Sequence, residues 1–234
     1  MAALLGRKRT VVNYTIDHIP KTTPLNRRPG HALNATTITI HNTGNPTSSA
    51  KNERAWLTNP SNSRVASYHI AVDEHGAIEC LPLNENGWHA GDGNESMSGN
   101  RTSIGIEICE NGNYAKTLDN AAELVANMLK ARGWGVDRLR RHYDWNGKIC
   151  PRLMYNKGTW LGWTAFKAAV AAKLVPQILK EEEDELTKLL AQSDANKIIA
   201  FLSASYMAAS DGVSRAEFKR LANELRRVSG QAKQ

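Results

Sequence analysis

An α/β domain followed by a small helical unit is what three features of this 234-residue chain predict. Short runs of apolar alternation recur between residues 37 and 109, the signature of half-buried strands. Helical periodicity recurs between residues 119 and 174, interleaved with the strand signals closely enough to belong to the same core. Beyond Pro176 the sequence changes to charged, helix-forming segments with no strand signal. With 41% hydrophobic residues, the chain can bury one main core and a lesser second one.

The elements follow in order. Residues 37–43 (TITIHN and its flanks) alternate as a strand, as do 67–72, 77–83 and 102–109 (TSIGIEIC). A helix is expected over residues 50–58, where Ala55, Trp56 and Leu57 follow Ser48 and Ser49 as candidate caps. The polar tetrad Asp73-Glu74-His75-Gly76 between two strand signals reads as a hairpin turn. Residues 119–132 place Leu124, Val125, Met128 and Leu129 on one helical face, with Gly133 as the stop signal, and 164–174 form another helix. After the charged run at 180–185, helices are expected over 185–191, 194–208 and 214–228, the last opened by a Ser214–Glu217 capping box. The expected organisation is a domain over 1–175, a charged linker over 176–183 and a helical domain over 184–234.

Charge narrows the function classes. Residues 1–179 carry 21 Lys and Arg against 14 Asp and Glu, and residues 180–234 carry nine of each, so the whole net charge of +7 lies in the first part. A basic surface of this size suits a polyanionic partner: nucleic acid, an anionic membrane or an acidic wall polymer. No apolar stretch approaches the roughly 20 residues a membrane span needs, so stable membrane insertion is not expected. At the N-terminus the basic Arg7-Lys8-Arg9 follows the apolar residues 2–5, the reverse of a secretory signal, so the expectation is synthesis without a signal peptide and retention in the cytosol. Three widely spaced cysteines, Cys80, Cys109 and Cys150, do not make a disulfide framework.

His41 ends an apolar strand where a Gly-containing turn begins, and His142 and Cys150 flank a turn-rich segment that can fold both side chains to one point. A catalytic zinc needs three protein ligands and an open position, which this set could supply. The spacing matches no zinc-finger pattern, and on spacing alone a strand histidine, a surface histidine and a buried cysteine account for the same residues. Glu107 sits between Ile106 and Ile108 and by alternation faces away from both.

Five ordered blocks change that balance: HNTG at 41–44, SYHIAVDEHG at 67–76, GWHAGDG at 87–93, SIGIEICENG at 103–112 and GKICPR at 147–152. Together, over residues 30–172, they resemble the type-2 N-acetylmuramoyl-L-alanine amidases, a family that includes bacteriophage endolysins and shares its fold with peptidoglycan recognition proteins. The resemblance implies a central mixed sheet flanked by helices, with zinc in a surface groove. It places the zinc ligands at His41, His142 and Cys150, and implies a metal-activated water as nucleophile. It implies Glu107 as the proton shuttle and Lys148 as the cation facing the oxyanion. Tyr68 would contact the metal water or the scissile carbonyl, although His69 beside it could equally be a core histidine. Trp88, His89 and Asn42 would contact substrate.

The implied reaction is hydrolysis of the amide between N-acetylmuramic acid and L-alanine in bacterial peptidoglycan, with anionic wall polymers as further partners and host-cell lysis as the outcome. An endolysin made without a signal waits in the host cytoplasm and reaches the wall at lysis. The helical tail is expected to bind the wall; the alternative is that its apolar face at Ile198, Ile199, Leu202 and Tyr206 packs on the amidase domain or on a second chain. The alternative is a non-catalytic peptidoglycan-binding module on the same fold, against which the presence of Cys150, Glu107 and Lys148 argues. No nucleic-acid recognition element is present to support the remaining class.

Overall fold

A computed structural model of the chain describes residues 12–174, 192–229 and 231. The chain divides into two compact units, Met1–Leu174 and Val175–Gln234. In the first, six strands form one sheet: β1 (Tyr14–Ile16), β2 (Thr37–Asn42), β3 (Ile70–Asp73), β4 (Gly76–Glu79), β5 (Ser103–Ile108) and β6 (Leu139–Arg141), in the order β1-β4-β3-β5-β2-β6. Only the β3–β4 hairpin is antiparallel, so the sheet is mixed, as expected. The helices are α1 (Ala50–Thr58), α2 (Gly99–Thr102), α3 (Tyr114–Lys130), α4 (Tyr143–Asn146) and α5 (Leu161–Leu174).

Alternation sorts the two faces of the sheet. Ile38 and Ile40 of β2 and Ile104, Ile106 and Ile108 of β5 all point to one side, where they form the main core with Leu124, Val125 and Leu129 of α3 and Trp163, Phe166 and Val170 of α5. Thr39 and His41 of β2 and Gly105 and Glu107 of β5 therefore face the other way. That second face carries α1, whose Ala50 and Leu57 pack with Tyr68, Ala71, Cys80 and Cys109. Cys80 and Cys109 are thus fully buried core residues. The parallel register sets His41 directly beside Glu107.

Several boundaries differ from the sequence reading. The edge strands β1 and β6 carry three residues each, too few for a visible period, and form because the neighbouring strands offer a ladder. Helix α3 begins at Tyr114 rather than at residue 119, because the Asn113 side chain accepts from Lys116 N at 3.1 Å and caps it earlier. Gly133, at φ 65°, turns the chain two residues beyond the cap Ala131.

In the second unit, α6 (Gln192–Ala208) and α7 (Gly212–Val228) pack through Ile199 and Leu202 against Ala222, with Phe218 and Leu225 alongside. The expected Ser214 cap is displaced: Asp211 caps α7 by accepting from Ser214 N at 2.8 Å, and Glu217 pairs instead with Arg220 one turn on. The helix expected at 185–191 and the linker at 176–183 lie outside the described residues. No helix among the described residues is long and apolar enough to cross a membrane.

Candidate metal centre and groove

His41 is the penultimate residue of β2, and β6 runs parallel to β2 and ends immediately before His142. Parallel neighbours end at the same edge, so two histidines 101 residues apart meet at the carboxyl ends of adjacent strands. The turn-rich segment then closes on itself: Tyr143 N donates to the Cys150 carbonyl at 3.1 Å, and Gly147 takes a left-handed φ of 79°. Cys150 is thereby returned beside His142. Ligand atoms of His41, His142 and Cys150 all lie within 4.8 Å of one another, and all three residues are buried.

The hydrogen bonds fix which nitrogens face inward. His89 Nε2 donates to the Ser103 carbonyl at 3.0 Å, which leaves its Nδ1 to accept from His41 Nε2 at 3.2 Å. His41 Nδ1 then carries a lone pair and points at His142 Nδ1, 3.0 Å away, with Cys150 Sγ at 3.8 Å. On the outer side of His142, Asn146 Nδ2 lies 3.1 Å from its Nε2 and donates to the Ala90 carbonyl at 3.0 Å. Burial, reinforced by the neighbouring His89 and His142, holds His41 well below the usual histidine range, and burial with Lys148 lowers His142 to about 4. Burial pushes the Cys150 thiol up to about 12, Glu107 adding to the effect.

Two neutral imidazoles and a cysteine crowded around one point suit a dication, which takes neutral imidazole and deprotonates a coordinating thiol. Two of the separations, 3.0 Å between the histidine nitrogens and 3.8 Å from His41 Nδ1 to Cys150 Sγ, match the roughly 3–4 Å between ligands of a tetrahedral zinc, and all three lie within 4.8 Å. The Asn42 backbone N–H points at Cys150 Sγ, 3.5 Å away, where it would support a metal-bound thiolate.

The donors open onto a groove of about 1540 Å³ that also takes in Glu107, Lys148, Tyr68 and Trp88. Glu107 Oε2 is buried without a hydrogen-bond partner, an unsatisfied acceptor beside the donor cluster. Burial raises its carboxyl to about 8, with the Glu53 carboxylate adding to that shift and Lys148 opposing it. Lys148 is exposed at the rim. Trp88 anchors its indole Nε1 on the Asn26 carbonyl at 2.8 Å and lines the groove.

Three residues expected on substrate or at the reacting centre line the groove but make hydrogen bonds inside the fold. Asn42 was expected on substrate, but its side-chain amide is used inside the fold: Oδ1 accepts from Leu153 N, and Nδ2 donates to the Ile108 carbonyl and to Tyr114 Oη. His89 was expected on substrate as well, but both its ring nitrogens are engaged and it orients His41. The Tyr68 hydroxyl, expected at the reacting centre, donates to Glu53, with the carbonyl oxygen at 2.9 Å and Oε2 at 2.8 Å.

Sequence reasoning missed Glu53, Asn146 and Gly105. A Cβ on Gly105 would lie 2.6 Å from the His89 ring, so glycine is required there for His89 to reach His41. The IGIE block contains that glycine, but nothing in its spacing reveals what it abuts.

The family profile for N-acetylmuramoyl-L-alanine amidase matches residues 31–153. N-acetylmuramoyl-L-alanine amidase CwlA of Bacillus subtilis (strain 168) is 44% identical over 146 residues, covering 61% of this chain and 51% of that protein. XlyA of the same strain is 39% identical over 183 residues, covering 76% and 58%. The chain thus spans about half the length of the curated relatives it matches. Among solved structures, the catalytic domain of XlyA superposes with a TM-score of 0.61 at 42% identity, covering 68% of this chain and 99% of that one. PlyL superposes with a TM-score of 0.59 at 32% identity, covering 70% and 99%.

Proposed function

The chain belongs to the N-acetylmuramoyl-L-alanine amidase family, and on that footing we propose that it is a zinc-dependent hydrolase of the bond between N-acetylmuramic acid and L-alanine in peptidoglycan. The observation that carries this reading is the convergence of His41, His142 and Cys150 in an open groove beside the unpartnered carboxylate oxygen of Glu107. These three residues would hold the zinc, which supplies Lewis acidity at the scissile carbonyl and a water acidified toward neutral pH.

The remaining chemistry belongs to the chain. Glu107 takes the proton released as water adds to the amide and delivers it to the departing amine of L-alanine. Its raised pKa suits it to hold and return a proton near neutral pH. Lys148 offers an ammonium to the developing oxyanion. His89 fixes the tautomer of His41, the second-layer support that metal-bound histidines commonly need. Glu53, held by Tyr68, adds negative charge near Glu107 and keeps its proton affinity high. Trp88 gives the groove an apolar surface for a sugar ring or peptide.

The biological setting is part of the same proposal: an endolysin that acts from the host cytoplasm on the wall at lysis. Its second unit would bind the wall or its anionic polymers, or pair two copies. Mass spectrometry of peptidoglycan digested by the protein tests the bond assignment. The expected products are a free L-alanine amino terminus and a muramic acid with its lactyl carboxylate intact. Reducing ends released from the glycan, or cleavage between stem-peptide residues, would overturn it.

A further inference from the structure

Part of the groove is built from residues 59–66, which form neither helix nor strand. Such a segment has no ladder to fix it, and Arg27 takes that place. Its side chain is fully buried: Nε donates to the Arg64 carbonyl at 3.0 Å, Nη1 to the Leu57 carbonyl at 3.1 Å, and Nη2 to the Asn62 carbonyl. No carboxylate pairs with it among the described residues. A buried guanidinium is costly unless its fork is satisfied, and here two carbonyls of the segment, with that of Leu57 in the last turn of α1, satisfy it.

Arg64 is the residue this arrangement fixes. Its carbonyl is held by Arg27, and its N–H donates to Asn62 Oδ1 at 3.0 Å. Its side chain lines the groove, is exposed, and has no acidic partner among the described residues. Lys51 also lines the groove without an acidic partner, on a helix and with a flexible stem. The acids of the groove, Glu53 and Glu107, are accounted for by Tyr68 and by the proposed reaction. A pinned backbone carrying an unpaired guanidinium presents a planar, bidentate site for a carboxylate.

Resting on the peptidoglycan reading, we propose that Arg64 binds the carboxylate of the stem-peptide residue that follows L-alanine, and that Arg27 is the positioning residue that presents it. L-alanine's own carboxyl is tied up in a peptide bond. Where the next residue bears a free carboxylate, that group is the first full negative charge beyond the scissile amide, and where it is amidated the charge is gone. Arg64 makes the groove selective for walls that carry the free acid.

The test uses the full chain and two synthetic disaccharide-tripeptides that differ only in a carboxylate or carboxamide on the second stem residue. The expected kcat/KM favours the carboxylate by about tenfold or more, expressed mainly in KM. Arg64→Gln should bring that ratio to about one. Arg27→Lys should lower the ratio too, whereas a merely structural Arg27 would slow both substrates equally and leave the ratio intact. Lys51→Gln should keep the preference. Should Arg27→Lys fail to fold, Arg64→Gln at its exposed position still decides. Equal cleavage of both compounds by the wild type, a ratio that survives Arg64→Gln, or one abolished by Lys51→Gln would each overturn the proposal alone. Cleavage of neither compound would overturn the amidase reading and this proposal with it.

Discussion

Glu107 and His41 stand side by side on neighbouring strands, and their division of labour is fixed by what else each touches. His41 is tied at Nε2 to His89 and so turns Nδ1 to the donor cluster, whereas Glu107 keeps one oxygen without a partner. Glu107→Gln removes the proton acceptor while keeping the shape, and Lys148→Ala removes the ammonium at the rim. Each should cut turnover roughly 100-fold or more while leaving zinc content and KM near normal, as steady-state kinetics with metal analysis would show. Wild-type turnover in either variant would remove that residue from the mechanism. At this scale the sequence exposed the residues whose chemistry is distinctive: a histidine closing a strand, a cysteine in a turn, a glutamate out of phase with its isoleucines. It concealed the residues that act through others. Arg27, Glu53 and Asn146 are ordinary polar residues at unremarkable spacings, and only the fold shows that Arg27 holds a loop, that Glu53 puts negative charge near Glu107, and that Asn146 lies against the His142 ring. Asn42 and His89 were legible as near the site, but whether a polar side chain faces substrate or its own scaffold depends on hydrogen bonds that spacing does not encode.

Strands long enough to alternate, β2 and β5, were readable, and they carry His41 and Glu107. The three-residue β6 was not, yet it brings His142 beside His41, so the element that completes the donor set was the least visible. Between β3 and β5, His69 acts as a staple: its Nδ1 accepts from Gly105 N at 2.9 Å and its Nε2 donates to the Glu85 carbonyl at 2.8 Å. Those bonds require the neutral ring, and burial lowers its pKa from 6.5 to about 4. A depressed folded-state pKa means that this stabilisation is fully present above pH 6.5 and is lost as the pH falls toward 4. In chelator-treated protein, urea midpoints should therefore fall by the equivalent of a few kcal/mol across that window. The decline should be shallower in His69→Gln, which is less stable at neutral pH but has no proton to take up. An identical slope in the variant would show that His69 does not govern the acid transition.

The chain divides into two compact units. Every residue assigned to the reaction lies in the first, which also contains the family match at residues 31–153. Among the described residues the second unit shows two helices, on which Phe201 is 70% exposed and Met207 77% exposed. Its change of character was legible in composition, but its partner was not, because composition reports a surface and not what meets it. A chain ending at Leu174 should cleave small muropeptides at normal rates and bind intact walls several-fold less well in sedimentation assays. Unchanged wall binding would refute a targeting role. The central claim is that His41, His142 and Cys150 form a zinc centre on which hydrolysis depends, and metal analysis coupled to activity addresses it most directly. One zinc per chain is expected in the wild type, with activity lost on chelation and restored by zinc, and with occupancy strongly reduced in Cys150→Ser, where a hydroxyl replaces a thiolate. Full hydrolytic activity in rigorously metal-free protein would contradict the account.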